Sequence, residues 1–163
     1  MKIGITGHQN LPSQKTWKWV EQELKLIISE AISQGKTVGI SSLAIGADQL
    51  FARLLLEAGG ELHVIIPLEG YEKTFETSKD LALYKDLLSE AKDVETLSAL
   101  ADDEQAFFAA GKFIAAGCDI LIAVWNGKRA QGLGGTADVV HFAQQLGKTV
   151  FHIHTENRLV TKI

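Results

Sequence analysis

A chain of 163 residues with 46% hydrophobic content is long enough for one ordinary domain with a packed core, and its apolar residues come in short runs, none near the roughly 18 in a row that span a bilayer. With 16 Lys and Arg against 20 Asp and Glu the net charge is −4, which offers no electrostatic footprint for a nucleic-acid backbone, so neither a membrane nor a nucleic acid is expected as a partner. Cys118 is the single cysteine, which excludes an internal disulfide and gives no zinc-ligand cluster; no metal is expected, and a start that runs directly into strand-like residues rather than a secretory signal predicts a cytoplasmic location.

Residues 2–6 read as a first strand and residues 17–33 as a helix, with Trp17, Val20, Leu24, Ile27, Ile28 and Ala31 near helical spacing. Gly35 stops that helix, residues 37–41 supply a second strand, and residues 48–58 a Leu- and Ala-rich helix closed by Gly59 and Gly60. A third strand, residues 62–66, breaks at Pro67, and residues 77–91 form a polar-faced helix. Residues 94–97 are a weaker fourth strand and residues 105–116 an Ala- and Phe-rich helix that stops at Gly117. Residues 119–125 are almost continuously apolar, the pattern of a central parallel strand covered on both faces. Beyond the glycine-rich residues 127–135, residues 136–146 read as helix and residues 149–153 as a sixth strand; residues 155–163 are a short tail or a contact between copies.

Strict strand–helix alternation predicts an α/β fold: a three-layer, doubly wound, mainly parallel sheet of Rossmann-like type, in a single domain over residues 1–163. Such sheets bind ligands outside the carboxyl ends of their strands. The loop after the first strand holds Gly7, which permits close approach, and His8, placed either to contact a ligand or to cap the loop; no G-x-G-x-x-G occurs, which disfavours an ordinary nicotinamide dehydrogenase. The second loop places Ser41, Ser42, Gly46 and Asp48 at a helix start, a pattern that suits an anion or an ordinary helix cap. The strongest signal follows the fifth strand, where Gly132, Gly134 and Gly135 lead into Thr136, so that backbone amides can lie directly against phosphate oxygens, with Lys128 and Arg129 adding charge from the rim. Asp138, in the first turn of that helix, is placed to bind a ribose hydroxyl or simply to complement the helix dipole. Trp125 is placed to stack on a base or to pack beneath the loop, Tyr71 and Glu72 to act as a lid, and Phe107, Phe108 and Phe113 to pack against the sheet.

The segment from Ser41 to Asp48 and the run Gly134-Gly135-Thr136 together resemble the superfamily that joins the Rossmann domain of DNA-processing protein A with the "Lonely guy" (LOG) phosphoribohydrolases. The nearest likeness is to small members with a T-G-H start and a W-[DN]-G-x-x-[AS]-x-G-x-G-G-T-A-D signature, which implies binding or sensing of a phosphate-bearing nucleotide, either a nucleoside monophosphate or one derived from NAD or ADP-ribose. In the LOG enzymes the motif continues to a glutamate implicated, with an arginine, in cleaving base from ribose 5′-phosphate, whereas Val139 stands at that position here. The resemblance therefore leaves two readings: a nucleotide-binding module with no cofactor beyond its ligand, or a phosphoribohydrolase using Asp138 as a displaced carboxylate with Arg129 or Arg53 near the phosphate. A homo-oligomer through the Ala- and Phe-rich helix is an accompanying expectation.

Overall fold

The computed structural model describes residues 1–97, 102–129 and 135–163. In chain order the elements are β1 (Lys2–Gly7), α1 (Gln14–Ser33), β2 (Val38–Ser41), α2 (Ala47–Glu57), β3 (Glu61–Ile66), a 3-10 turn (Tyr71–Thr74), α3 (Ser78–Ser89), β4 (Asp93–Thr96), α4 (Asp103–Gly117), β5 (Ile120–Trp125), α5 (Thr136–Gln145), β6 (Thr149–His154) and β7 (Leu159–Lys162). The strands form one sheet in the order β4-β3-β2-β1-β5-β6-β7, parallel throughout except for the β6–β7 pair. The expected α/β doubly wound architecture is the observed one.

The strand β7 corrects the expectation of a tail or a contact between copies for residues 155–163. The chain instead turns at Arg158, whose φ is 50°, and runs back antiparallel along β6, pairing Ile153 with Val160 and Phe151 with Lys162. The edge of the sheet beside β6 is thereby covered by the chain's own end.

Two apolar layers flank the sheet, and the period-2 alternation of β5 feeds both. Ile122 and Val124 join Val20, Leu24 and Ile28 of α1 and Phe51 and Leu55 of α2, while Leu121 and Ala123 join Ala110 and Ile114 of α4 and Val139 and Ala143 of α5. The helix α1 presents Thr16, Val20, Leu24, Ile28 and Ala31 as one stripe, and Ser13 caps it through its side chain at Thr16 N. No helix of the described residues is long and apolar enough to cross a membrane.

The order places the switch point between β1 and β5: connections through β2, β3 and β4 progress to one side of β1, and the chain then returns to start β5 on its other side. The helices that follow β1 and β5, α1 and α5, pack on opposite faces of the sheet, and a crevice opens at the strand ends there. Glycine at position 7 is required at its lip, because a Cβ on Gly7 would lie 2.6 Å from the Cβ of Ala47 and 2.9 Å from that of Val124. Gly7→Ala is therefore expected to lower stability by about 1–3 kcal/mol, read as a fall in the urea midpoint; an unchanged midpoint would show that the β1 end and the start of α2 are not packed this closely.

Candidate functional site

The crevice is a cleft of about 690 Å³ at the carboxyl ends of β1, β2, β3 and β5. From the loop after β3 to the loop after β5 it crosses three inter-strand spacings, about 14 Å. Its β5 end is polar, with His8, Asn126, Lys128, Arg129 and Thr136, and its β3 end is aromatic, with Tyr71, Phe75 and Phe107; Ile5, Ile114 and Val139 lie in its apolar lining.

The loops after β1 and β5 brace each other. The amide of His8 donates to the carbonyl of Val124 at 2.9 Å, and the amide of Asn126 donates to His8 Nε2 at 3.3 Å. The β5 loop is further fixed by the indole N–H of Trp125, which donates to the carbonyl of Lys128 at 2.7 Å, and by an Asx turn in which Lys128 N donates to Asn126 Oδ1. The ring of Trp125 packs beneath the loop, tilted on His152 with centroids 5.1 Å apart, and Trp125 also lines the cleft. Burial holds His152 below the usual imidazole range, although its Nε2–H donates to the carbonyl of Trp125.

The two helices whose first turns line the cleft begin differently from the others. Ser13, Thr77 and Asp102 cap α1, α3 and α4 through their side chains, whereas α2 and α5 start at Gly46 and Gly135 with no side-chain cap. In α2 the first amide is already engaged, Ala47 N donating to the carbonyl of His8. In α5 the first-turn amides of Thr136 and Ala137 have no backbone acceptor among the described residues, and both residues line the cleft. That leaves a pair of donors and the positive end of a helix dipole directed at the polar end.

The loop after β2 is organised around a buried carboxylate. Asp48 Oδ2 accepts from Ser41 Oγ at 3.0 Å and from Ser42 N at 3.1 Å, and Ser41 Oγ accepts from Leu43 N at 2.9 Å. Leu43 sits at φ 55°, a left-handed conformation that costs a non-glycine residue about 1–2 kcal/mol and that this network offsets. Gly46, at φ 91°, would drive a Cβ to 2.4 Å from the carbonyl oxygen of Gln9, so glycine is fixed there by backbone conformation and by contact with the β1 loop.

The structure thus brings Gly7, His8, Ser42, Asp48, Lys128, Gly135 and Thr136 to one cleft. Ser41 is fully buried and engaged with Asp48 rather than lining the cleft, and Gly46 acts through packing. Lys128 is paired with Glu156 at 2.7 Å on the exposed rim. Asp138 faces the opposite flank of the β5–α5 connection, in a second recess lined also by His141 and Gln144, while the neighbouring Val139 lines the main cleft. Arg53 pairs with Glu57 and Glu21 on the outer helices and does not line the cleft. Gly132 and Gly134 lie outside the described residues. Of the expected lid, Tyr71 is buried in the cleft wall and Glu72 is exposed. Of the three phenylalanines expected to pack against the sheet, only Phe108 does so; Phe107 opens onto the cleft and Phe113 is exposed.

No protein-family model matches the chain and no curated protein matches it. Among solved structures the fold is matched by DNA processing protein A from Streptococcus pneumoniae, with a TM-score of 0.66 and 20% identity over 93% of this chain and 49% of that one. DNA processing protein A from Helicobacter pylori matches with a TM-score of 0.65 and 15% identity over 93% of this chain and 64% of that one. The molybdenum cofactor carrier protein from Chlamydomonas reinhardtii matches with a TM-score of 0.56 and 17% identity over 93% and 74%. The chain spans about half the length of the pneumococcal protein. At these identities the likeness is one of fold, and it agrees with the DNA-processing resemblance seen in the residues. It also corrects one expectation: the Helicobacter pylori protein, built on this fold, binds single-stranded DNA, so the acidic balance of the whole chain does not exclude a nucleic-acid partner. Net charge averages over the surface, whereas local amide donors can hold phosphate irrespective of it.

Burial raises the pKa of Asp48 from its ordinary 3.8 to about 6, against the lowering effect of its bonds from Ser41 and the amides of Ser42 and Ala44. The folded chain then retains a proton that the unfolded chain has released, so this group's contribution to stability falls as pH rises from 3.8 towards about 6 and is level above. The loss is on the order of 3 kcal/mol. Urea unfolding between pH 4 and 7 should show this slope in the wild type and not in Asp48→Asn; parallel slopes in the two proteins would remove the assignment.

Proposed function

We propose that this protein binds or senses a phosphate-bearing nucleotide in the cleft at the β1–β5 switch point. The observation that carries the reading is the uncapped start of α5, whose Thr136 and Ala137 amides open onto the polar end of a cleft that is aromatic at its other end. A phosphate answers the first feature, since anions bind at helix N-termini through the amides and the dipole. A flat, largely apolar base answers the second, and a span of about 14 Å suits an extended nucleotide. Nucleoside monophosphates and nucleotides derived from NAD or ADP-ribose share this polarity.

Cleavage of the nucleotide is the weaker reading. On the helix that supplies the LOG glutamate, Val139 lines the cleft and Asp138 lines the opposite recess, so neither places a carboxylate beside the bound sugar. A binding role needs none.

Thr136 is the first residue of α5, and Gly135 before it is extended, at φ −69° and ψ 171°, so proline is tolerated at position 136 while deleting one amide donor. Calorimetry with AMP, ADP-ribose and NAD should find binding of at least one. For that ligand Thr136→Pro should weaken affinity by roughly tenfold to a hundredfold, and Thr136→Ala, which keeps the amide, by less. Wild-type protein that binds none of the three, or a proline variant that binds as tightly as wild type, would overturn the proposal.

A further inference from the structure

Tyr71 is 4% exposed and lines the cleft. No hydrogen bond ties its hydroxyl to any described residue, yet no buried side-chain oxygen or nitrogen among them lacks a partner. The ring is therefore enclosed while Oη reaches the cleft surface. Three aromatic neighbours fix the ring edge to face: Phe75 at 5.4 Å between centroids, Tyr84 at 5.7 Å and Phe107 at 6.1 Å. Burial, with the nearby Asp48 carboxylate second, holds the phenol protonated far above its ordinary range, so it stands ready as a donor.

Asp48 also lines the cleft, 6% exposed, near enough for its charge to bear on the Tyr71 phenol. Ser41, Ser42 and Ala44 donate to its carboxylate. A carboxylate has about four acceptor positions, so one remains for a ligand on a residue that lines the cleft. The cleft thus holds a fixed acceptor, Asp48, and a fixed, uncommitted donor, Tyr71, with Ser42 and Thr74 also in its lining. A phosphate is repelled by the carboxylate, and a purely apolar group leaves both uncompensated.

Resting on the nucleotide reading above, we infer that Asp48 and Tyr71 read the polar edge of the nucleotide's base, taking an uncharged heteroaromatic ring that presents a hydrogen-bond donor next to an acceptor. Phe107, 37% exposed on the cleft wall, is the platform available to its flat face. The phosphate lies at the α5 end and the base at the β3 end, so the direction of the ligand in the cleft is set. A sugar hydroxyl has the same donor–acceptor chemistry, but it has no use for an aromatic wall.

The test is calorimetry on wild type and Tyr71→Phe with AMP, with purine riboside 5′-monophosphate, which lacks the base's donor, and with ribose 5-phosphate, which lacks the base. Thermal melts confirm that the variant is folded. Wild type should bind AMP roughly tenfold more tightly than purine riboside monophosphate. Tyr71→Phe should weaken AMP by a similar factor while leaving ribose 5-phosphate unchanged. Equal affinity for the two nucleotides in wild type, or an equal loss for AMP and ribose 5-phosphate in the variant, overturns the base assignment and leaves the nucleotide reading standing. No binding of any of the three by wild type overturns the base assignment, and the nucleotide reading falls with it when ADP-ribose and NAD do not bind either.

Discussion

The pairing of β5 against the far side of β1 is the constraint on which the rest of this molecule depends. A sheet that grew in one direction only would carry its loops past one another in a continuous row, with no gap between them. Reversal at β1 splits the row, and the gap is held open by specific contacts. Gly7 lets α2 come in close on one side, the amides of His8 and Asn126 tie the two loops together, and α5 starts without a side-chain cap on the other side. The cleft is therefore a consequence of topology, and its polar end a consequence of where one helix begins.

Within that frame, Asp48 organises the loop after β2. It is a buried acid at the start of a helix, favoured there by the dipole and by three donors, and disfavoured by loss of water. The balance leaves its affinity for protons raised. Such a group stabilises the left-handed Leu43 loop at some cost in stability near neutral pH, an arrangement more common where a side chain has work to do at a site than where it only packs.

The fold was legible because its signals are local. The continuous apolar run of β5 and the stripe of Val20, Leu24 and Ile28 on α1 follow from burial on two faces of a sheet and one face of a helix. β7 was not legible: Leu159–Lys162 is short, mostly half-exposed, and held by pairing with β6 rather than by a pattern of its own. The polar half of the cleft could be read because glycines, hydroxyls and a helix start fall together along the chain, as at Gly135 and Thr136. Of the aromatic half only Tyr71 could be placed near the site, and as a lid rather than as wall. Tyr71 and Phe75 follow β3 and Phe107 belongs to α4, and only the folded sheet brings them together. Ser41 misled for a related reason, since a hydroxyl at a strand end looks the same whether it meets a ligand or, as here, a carboxylate seven residues further on.

In the proposed complex the amides opening α5 grip the phosphate of a nucleotide laid across the switch point, and this contact can be watched residue by residue. It is tested most directly by following backbone amide resonances of the isotope-labelled protein during titration with AMP. Thr136 and Ala137 should shift most strongly, together with Asn126 and residues around Tyr71, in a single saturating transition. Shifts confined to the recess around His141 and Gln144, or an undisturbed α5 at saturating nucleotide, would contradict it.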